Sequence, residues 1–408
     1  MALNEKIELG FDLPSSVGPF FKLDDPVKGK LDNTQYVLSG VIFYDVTARV
    51  KRYTIRRGKS RQLESFNPGI ASVVFGNMDR AFDPTFTASP YYGQVIPKRE
   101  IRITTNGLRR YTGLIDDWNL DYALGGESTA SVTASDGFAR LANQTFAGGT
   151  ATAQLSGARI SAVLDSPDVA WPPGPRAIDA GTVMLGADVQ PVDGNVLEYL
   201  QRVEATELGN FYIDKLGNAT FKDAHTLIPE GASAVTLADD GTGIPYAGMQ
   251  VVYGSELLYN QIIVSSVNAI GTAQADDLDS QASYGIQTYT RTDLLMDYDV
   301  DVDAHAITLA KQYANPEYRF ENVTVNLDTL TPDQVTSILN LEIGSLCKVV
   351  FTPNGVAPAI SKYAEVISIA DSTDVVRHAV TLGFSTLDYI SFILDDIVFG
   401  RLDSSTLG

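Results

Sequence analysis

The run DYDVDVDA, residues 297–304, sets Asp299, Asp301 and Asp303 at alternate positions, as the opening of a calcium-binding loop does. Such a loop needs glycine at its sixth position for a sharp turn and a bidentate glutamate at its twelfth. Ala304 and Ala310 stand there instead, so the turn and two oxygen ligands are missing. The carboxylates fit better as an acidic lead-in to a helix, whose N-terminus favours negative charge. Asp116 and Asp117 are neighbours in a strand-like run beside Trp118. Adjacent strand side chains point to opposite faces, which separates the two as an acid–base pair. None of the histidines, His225, His305 and His378, has a second His, Cys or acidic residue at metal-ligand spacing. The chain contains no nucleophile elbow, zinc-protease helix, phosphate loop or dinucleotide fingerprint. GTGIPYAG, residues 241–248, is glycine-rich but lacks a Lys-Ser/Thr pair. The expectation is a protein that is not an enzyme and holds neither cofactor nor metal. A glycosidase-like carboxylate pair assembled from distant positions is the remaining route to catalysis.

With 408 residues, the chain has room for two to four domains at roughly 100–200 residues each. Its 44% apolar and 20% charged residues are those of an ordinary folded protein. The single cysteine, Cys347 in SLCKVVF, excludes an internal disulfide framework and reads as a buried thiol. No apolar run reaches the length of a membrane span, and MALNEKIELGFDLP is not a secretory signal. Assembly in a cytoplasm is therefore expected. The net charge of −20 is unevenly spread. From Lys51 to Arg110, twelve basic residues face four acidic ones, a surplus of +8 that leaves −28 for the rest. Such a basic stretch suits an acidic partner, a second copy of the chain included.

Alternating or continuous apolar runs such as VIFYDVTARVKRYTI, ASVVFGN, REIRITT and ASVTAS predict a β domain over residues 36–145, ending in a short helix at Ser135–Gln144. Its long connection, NMDRAFDPTFTASPYYGQVIPK, reads as an ordered crossing. Residues 146–245 predict a smaller mixed α+β domain. There a helix places Val196, Leu200 and Val203 on one face with Gly209 as its C-cap, and a hairpin turns at Leu216-Gly217-Asn218. A second β domain with helices is expected over 246–385. One of its helices carries Ala306, Ile307, Ala310 and Tyr313; another starts at Thr331 as N-cap with Pro332 in the first turn. The fold class is mainly β with a mixed α+β insert.

Residues 1–35 and 386–408 remain as terminal arms, and they share a sentence. FKLDDPVKGKLD (21–32) and FILDDIVFGRLD (392–403) match at Phe, Leu, Asp, Asp, Val, Gly, Leu and Asp. Pro26 disfavours a helix in the first copy, so both read as extended segments that present alternate side chains. That is how peptides dock onto a sheet edge or groove. The docking residues are Phe21, Leu23, Asp24, Asp25, Val27 and Leu31 in one arm, and Phe392, Leu394, Asp395, Asp396, Val398 and Leu402 in the other.

The stretch from Asp45 to Ile103, followed by RYTGLIDDWNL, resembles the first domain of minor tail proteins of long, non-contractile-tailed phages of actinobacteria. The residues that carry the resemblance are Asn77, Asp79, Arg80, Phe82, Asp83, Pro84, Ser89, Pro90, Tyr91, Tyr92, Pro97 and Arg99. LYNQIIVSS, SQASYGIQTYT and the segments through SLCKVVFTPNG are similar to the second barrel region of tail hub (baseplate hub) proteins. The resemblance implies two related β-barrels per subunit and a homotrimeric ring at the tail tip that continues and closes the tail tube. It further implies partners in the distal tail ring, the tape-measure protein and other minor tail proteins, with viral DNA passing through unbound. A location in the virion tail tip follows from it. Two alternatives stand beside the hub: a tail-tip adsorption protein binding cell-wall carbohydrate, and a distal-tail ring protein.

Overall fold

The computed structural model describes residues 3–12, 26, 41–169, 171–172, 176–224, 235–269, 271–374 and 377–386. Both docking segments fall outside these residues, apart from Pro26. The first β half contains β1 (Glu5–Asp12), β2 (Val41–Asp45), β3 (Val50–Gly58), β4 (Asn67–Gly76), β5 (Glu100–Thr105), β6 (Leu108–Asp121) and β7 (Thr129–Ser135). Period-two alternation builds it. β3 buries Tyr53, Ile55 and Arg57, and β5 buries Ile101, Ile103 and Thr105. Tyr53, Ile55, Ile101 and Ile103 join Ile7, Leu9, Phe75, Tyr111 and Val132 in one core. The expected arm over 1–35 therefore begins as a strand: β1 lies between β5 and β2, and its Ile7, Leu9 and Phe11 side chains are core.

The middle of the chain holds α1 (Gly137–Ala142), β8 (Gly149–Ala151), β9 (Gln154–Leu155), α2 (Ser156–Asp165), β10 (Ala177–Ile178), β11 (Met184–Leu185), β12 (Asp188–Gln190), α3 (Val196–Glu207), β13 (Asn210–Ile213) and β14 (Ala219–Lys222). α1 is capped by Asp136, whose side chain accepts from the Phe138 amide. α3 buries Val196, Leu200 and Val203 as the spacing predicts. Its C-cap is Leu208, at φ 57°, rather than Gly209. Gly209 is needed for a different reason: a Cβ there would come 2.5 Å from the Lys222 carbonyl, where the β13–β14 hairpin passes. The hairpin forms with Phe211 opposite Phe221 and Ile213 opposite Ala219.

The last part contains β15 (Val235–Ala238), β16 (Gly248–Tyr253), β17 (Gln261–Ser266), β18 (Thr272–Asp276), α4 (Leu278–Tyr284), β19 (Thr288–Leu294), α5 (Asp299–Tyr313), β20 (Tyr318–Asn326), α6 (Pro332–Asn340), β21 (Leu346–Phe351), β22 (Ile360–Thr373) and β23 (His378–Thr386). Asp299 and Asp301 occupy the first turn of α5, and Asp299 accepts from the Gly271 amide. α5 buries Val302, Ala306, Leu309 and Tyr313 against the small sheet β18-β17-β19. Ile307, expected on that face, is 50% exposed, because one residue's step turns it roughly 100° away from Ala306. Thr331 and Gln334 close a full capping box at the start of α6.

One sheet unites the two β halves. Thirteen strands run along β16-β20-β23-β22-β3-β4-β7-β6-β5-β1-β2, with β21 and β15 branching from β22. β22 makes this possible by changing neighbours along its length. Ile360–Glu365 pair with β21, while Ser368–Thr373 pair with β3, and β23 follows the opposite edge from Ala364 to Thr373. The change occurs beside Gly58, at φ +112°, where a Cβ would stand 2.2 Å from the Ile367 carbonyl. Gly58→Ala is expected to lower stability by more than about 2 kcal/mol, since strain and a backbone clash add. Gly107→Ala, at φ +81° with nothing within 4 Å of its Cβ, should cost only about 1 kcal/mol. Denaturant titration of both variants measures the difference.

Candidate functional site: the seam and the motif loop

At the β22–β3 seam the sequence buries charge. Arg110, on β6, directs two nitrogens at different targets: Nη1 donates to the Leu339 carbonyl at 2.7 Å, and Nη2 lies 3.1 Å from both Asp371 oxygens. The side chains of Arg110 and Asp371 are 0% and 1% exposed. His378 continues the chain, with Nε2 3.2 Å from Asp371 and Nδ1 2.8 Å from Glu5. Glu5 Oε2 then accepts from Tyr53 Oη and Thr105 Oγ1, each at 2.7 Å. Six strands and the end of α6 thus meet in one connected line of two cations and two anions. Nearby, buried Arg57 pairs through Nη1 with Oε1 of the partly exposed Glu342 at 2.8 Å.

The electrostatics follow from this geometry. Burial works to lower the His378 pKa, but hydrogen bonds and charge from Asp371 and Glu5 prevail and lift it to about 9. Burial works to raise Asp371, but Arg110 and His378 hold it down at about 2. Sequence spacing does not reveal this cluster, because the partners of His378 arrive from β22, seven residues back, and from Glu5, at the other end of the chain. Part of the basic stretch 51–110 cannot face a partner: Arg57, Lys59 and Arg110 are buried. Asp116 and Asp117 part as expected. Asp116 pairs with Lys98 and accepts from Ser135, while Asp117 is exposed.

The motif loop between β4 and β5 is ordered by its own residues. Phe82 is fully buried and stacks on Tyr91 and Trp118 at centroid distances of 5.3 and 5.6 Å, with Phe75 at 4.7 Å. Asn77 is buried and accepts from the Phe82 amide. Arg49 grips Asp79 through two nitrogens and lies over the Phe82 ring. Asp83 accepts from Thr85, Tyr122 and Arg80, which together hold its carboxyl well below the usual range. Arg80 takes a positive φ of 57° to make its contact. Ser89 donates to the Ala81 carbonyl and receives the Tyr91 amide. Pro84, Pro90 and Tyr92 face solvent on this scaffold. The docking residues Phe21, Leu23, Asp24, Asp25, Val27, Leu31, Phe392, Leu394, Asp395, Asp396, Val398 and Leu402 lie outside the described residues. Among the described residues, no group of three His, Cys, Asp or Glu could hold a metal ion, and no helix is long and apolar enough to cross a membrane.

No protein-family model matches the chain, and no curated protein matches it by sequence. Solved structures do share its fold. The 43 kDa tail protein of prophage MuSo2 from Shewanella oneidensis is 14% identical, with a TM-score of 0.58, over 94% of this chain and 98% of that one. The tail protein from Neisseria meningitidis MC58 is 10% identical, with a TM-score of 0.60, over 95% and 97%. The chain therefore has, over nearly its whole length, the mainly β fold of phage tail proteins.

The seam gives a pH prediction. The folded pKa of His378 lies above its ordinary value, so its contribution is complete below about pH 6.5 and is lost as pH rises through about 9. Asp371 contributes above about pH 3.8, and that contribution is lost as pH falls through about 2. His378→Gln should cost roughly 3–5 kcal/mol near pH 6, because it leaves Glu5 without its cation and Asp371 with Arg110 alone. It should also remove the seam's share of the stability loss above pH 6.5. Denaturation midpoints across pH for both proteins provide the check.

Proposed function

We propose that this chain is the hub of a phage tail tip. It is a structural component and not an enzyme. Three copies form a ring that continues the tail tube and joins it to the distal tail ring, the tape-measure protein and other minor tail proteins. Viral DNA passes through the ring without being bound. The observation that carries this reading is the fold shared end to end with two tail proteins, over 94–95% of the chain. Two β halves spliced into one sheet suit a subunit that contributes two segments to a ring. The charge supports the passage of DNA. The stretch beyond 51–110 carries −28, and a wall of carboxylates repels phosphates that Lys and Arg clusters would retain. The motif loop is the ground for placing the protein in long-tailed actinobacterial phages, made in the host cytoplasm and carried in the virion.

The matching terminal segments are the proposed docking arms, reused between layers of the tip. Light scattering of the purified chain should give three copies. Six copies would favour the distal-tail ring, and a stable monomer that binds cell-wall glycan would favour the adsorption protein. Truncation after Thr386 should leave a folded hub that does not recruit its next tail partner. Normal tails assembled with the truncated chain would refute the arm.

A further inference from the structure

A cavity of about 160 Å³ lies where the insert meets both β halves. The loop after β3 brings Lys59 to it, α3 brings Glu204, and β22 brings Glu365. The two glutamates are 3% and 5% exposed. Their partners differ. Glu365 accepts from Asn210 Nδ2 at 2.7 Å, and Asn210 Oδ1 accepts from Lys59 Nζ at 3.0 Å. Glu204 accepts from the Phe211 amide, but its Oε2 has no hydrogen-bond partner among the described residues.

The charges around Glu204 do not balance. Lys59, seated 4.7 Å over the Phe66 ring, offsets one carboxylate. Arg291, on β19, is taken up by Asp293 at 2.9 Å. His305, on α5, is neutral near pH 7, since burial and the Arg291 charge draw its pKa down to about 4. Tyr289 and Tyr313 add only hydroxyls, and Glu64 is exposed. One buried negative charge is left over, on the residue whose oxygen has no partner. A carboxylate so placed neutralises rather than remain charged.

We propose that Glu204 is a proton-binding site: it holds a proton at neutral pH, and release of that proton loosens the junction between the insert and the two β halves. The proposal stands on this cavity and is independent of the hub reading. Burial lifts Glu204 to about 8 and Glu365 to about 7, with Lys59 opposing in both. The fold therefore holds protons that the unfolded chain has released, and its stability falls as pH rises from about 4.5 to about 8. His305 acts in the opposite sense, but only between about pH 4 and 6.5. The loss due to the glutamates is thus clearest between about pH 6.5 and 8, where His378 adds a separate loss of its own.

The test compares the full chain with Glu204→Gln, which keeps the shape of the protonated side chain. Unfolding midpoints should come together near pH 4.5 and diverge as pH rises from there to about 8, with the wild type falling faster. Because His378 is intact in both proteins, its share cancels. Hydrogen exchange should agree. Corrected for intrinsic rates, amides of α3 and the β13–β14 hairpin should open about tenfold more often in the wild type near pH 9 than in the variant. Parallel midpoint curves, or a variant that fails to fold, would overturn the proposal. So would a wild-type midpoint raised near pH 8.5 by potassium chloride, but not by tetramethylammonium chloride, with no such effect in Glu204→Gln. That result would assign the missing charge to a bound metal cation.

Discussion

The rest of the structure depends on a buried line of charge running from Arg110 through Asp371 and His378 to Glu5. Such groups give up hydration, and they are tolerated inside only when each charge meets its opposite and the hydrogen bonds are complete. That condition can be met in one register. β3 alternates inward and outward side chains, so a slip of one residue against β22 would turn Tyr53 away from Glu5 and carry Asp371 from the inner face to the outer. Apolar residues alone would let two β halves associate in many ways. The charges accept one.

The same constraint explains the neighbouring features. Gly58 lies where β22 leaves β21 for β3, and its missing side chain lets the two backbones come close. Glu5 must reach His378, which fixes β1 inside the first β half rather than leaving it as an arm. The motif loop is organised around Phe82, which packs on Phe75 within the core of the first β half, and it also reaches the sheet through Arg49 and Trp118.

The sequence was most informative where structure is local. The Thr331 cap, the Leu216-Gly217-Asn218 turn, the α3 face and the alternation in β3 through β7 each depend on residues close together, and each was readable. The motif loop could be singled out because its residues fall within one stretch. The seam could not be read, because Glu5, Arg110 and the Asp371–His378 hairpin lie far apart in the chain. The burial of Arg57, Lys59 and Arg110 was hidden for the same reason: a basic run looks solvated until distant carboxylates are placed beside it. Gly209 shows a subtler limit. The sequence flags a glycine at the helix end, but only the fold reveals that it clears the hairpin while Leu208 makes the cap.

β22 also has a mechanical meaning. Its early residues are laced to β21 and its later ones to β3, with β23 beside both, so the strand acts as a splice between two blocks. Inter-strand hydrogen bonds run across the strand direction. A pull along β22 therefore loads all six β22–β3 residue pairs together, whereas a pull across it breaks them one after another. The molecule is stiff along one axis and yields along the other.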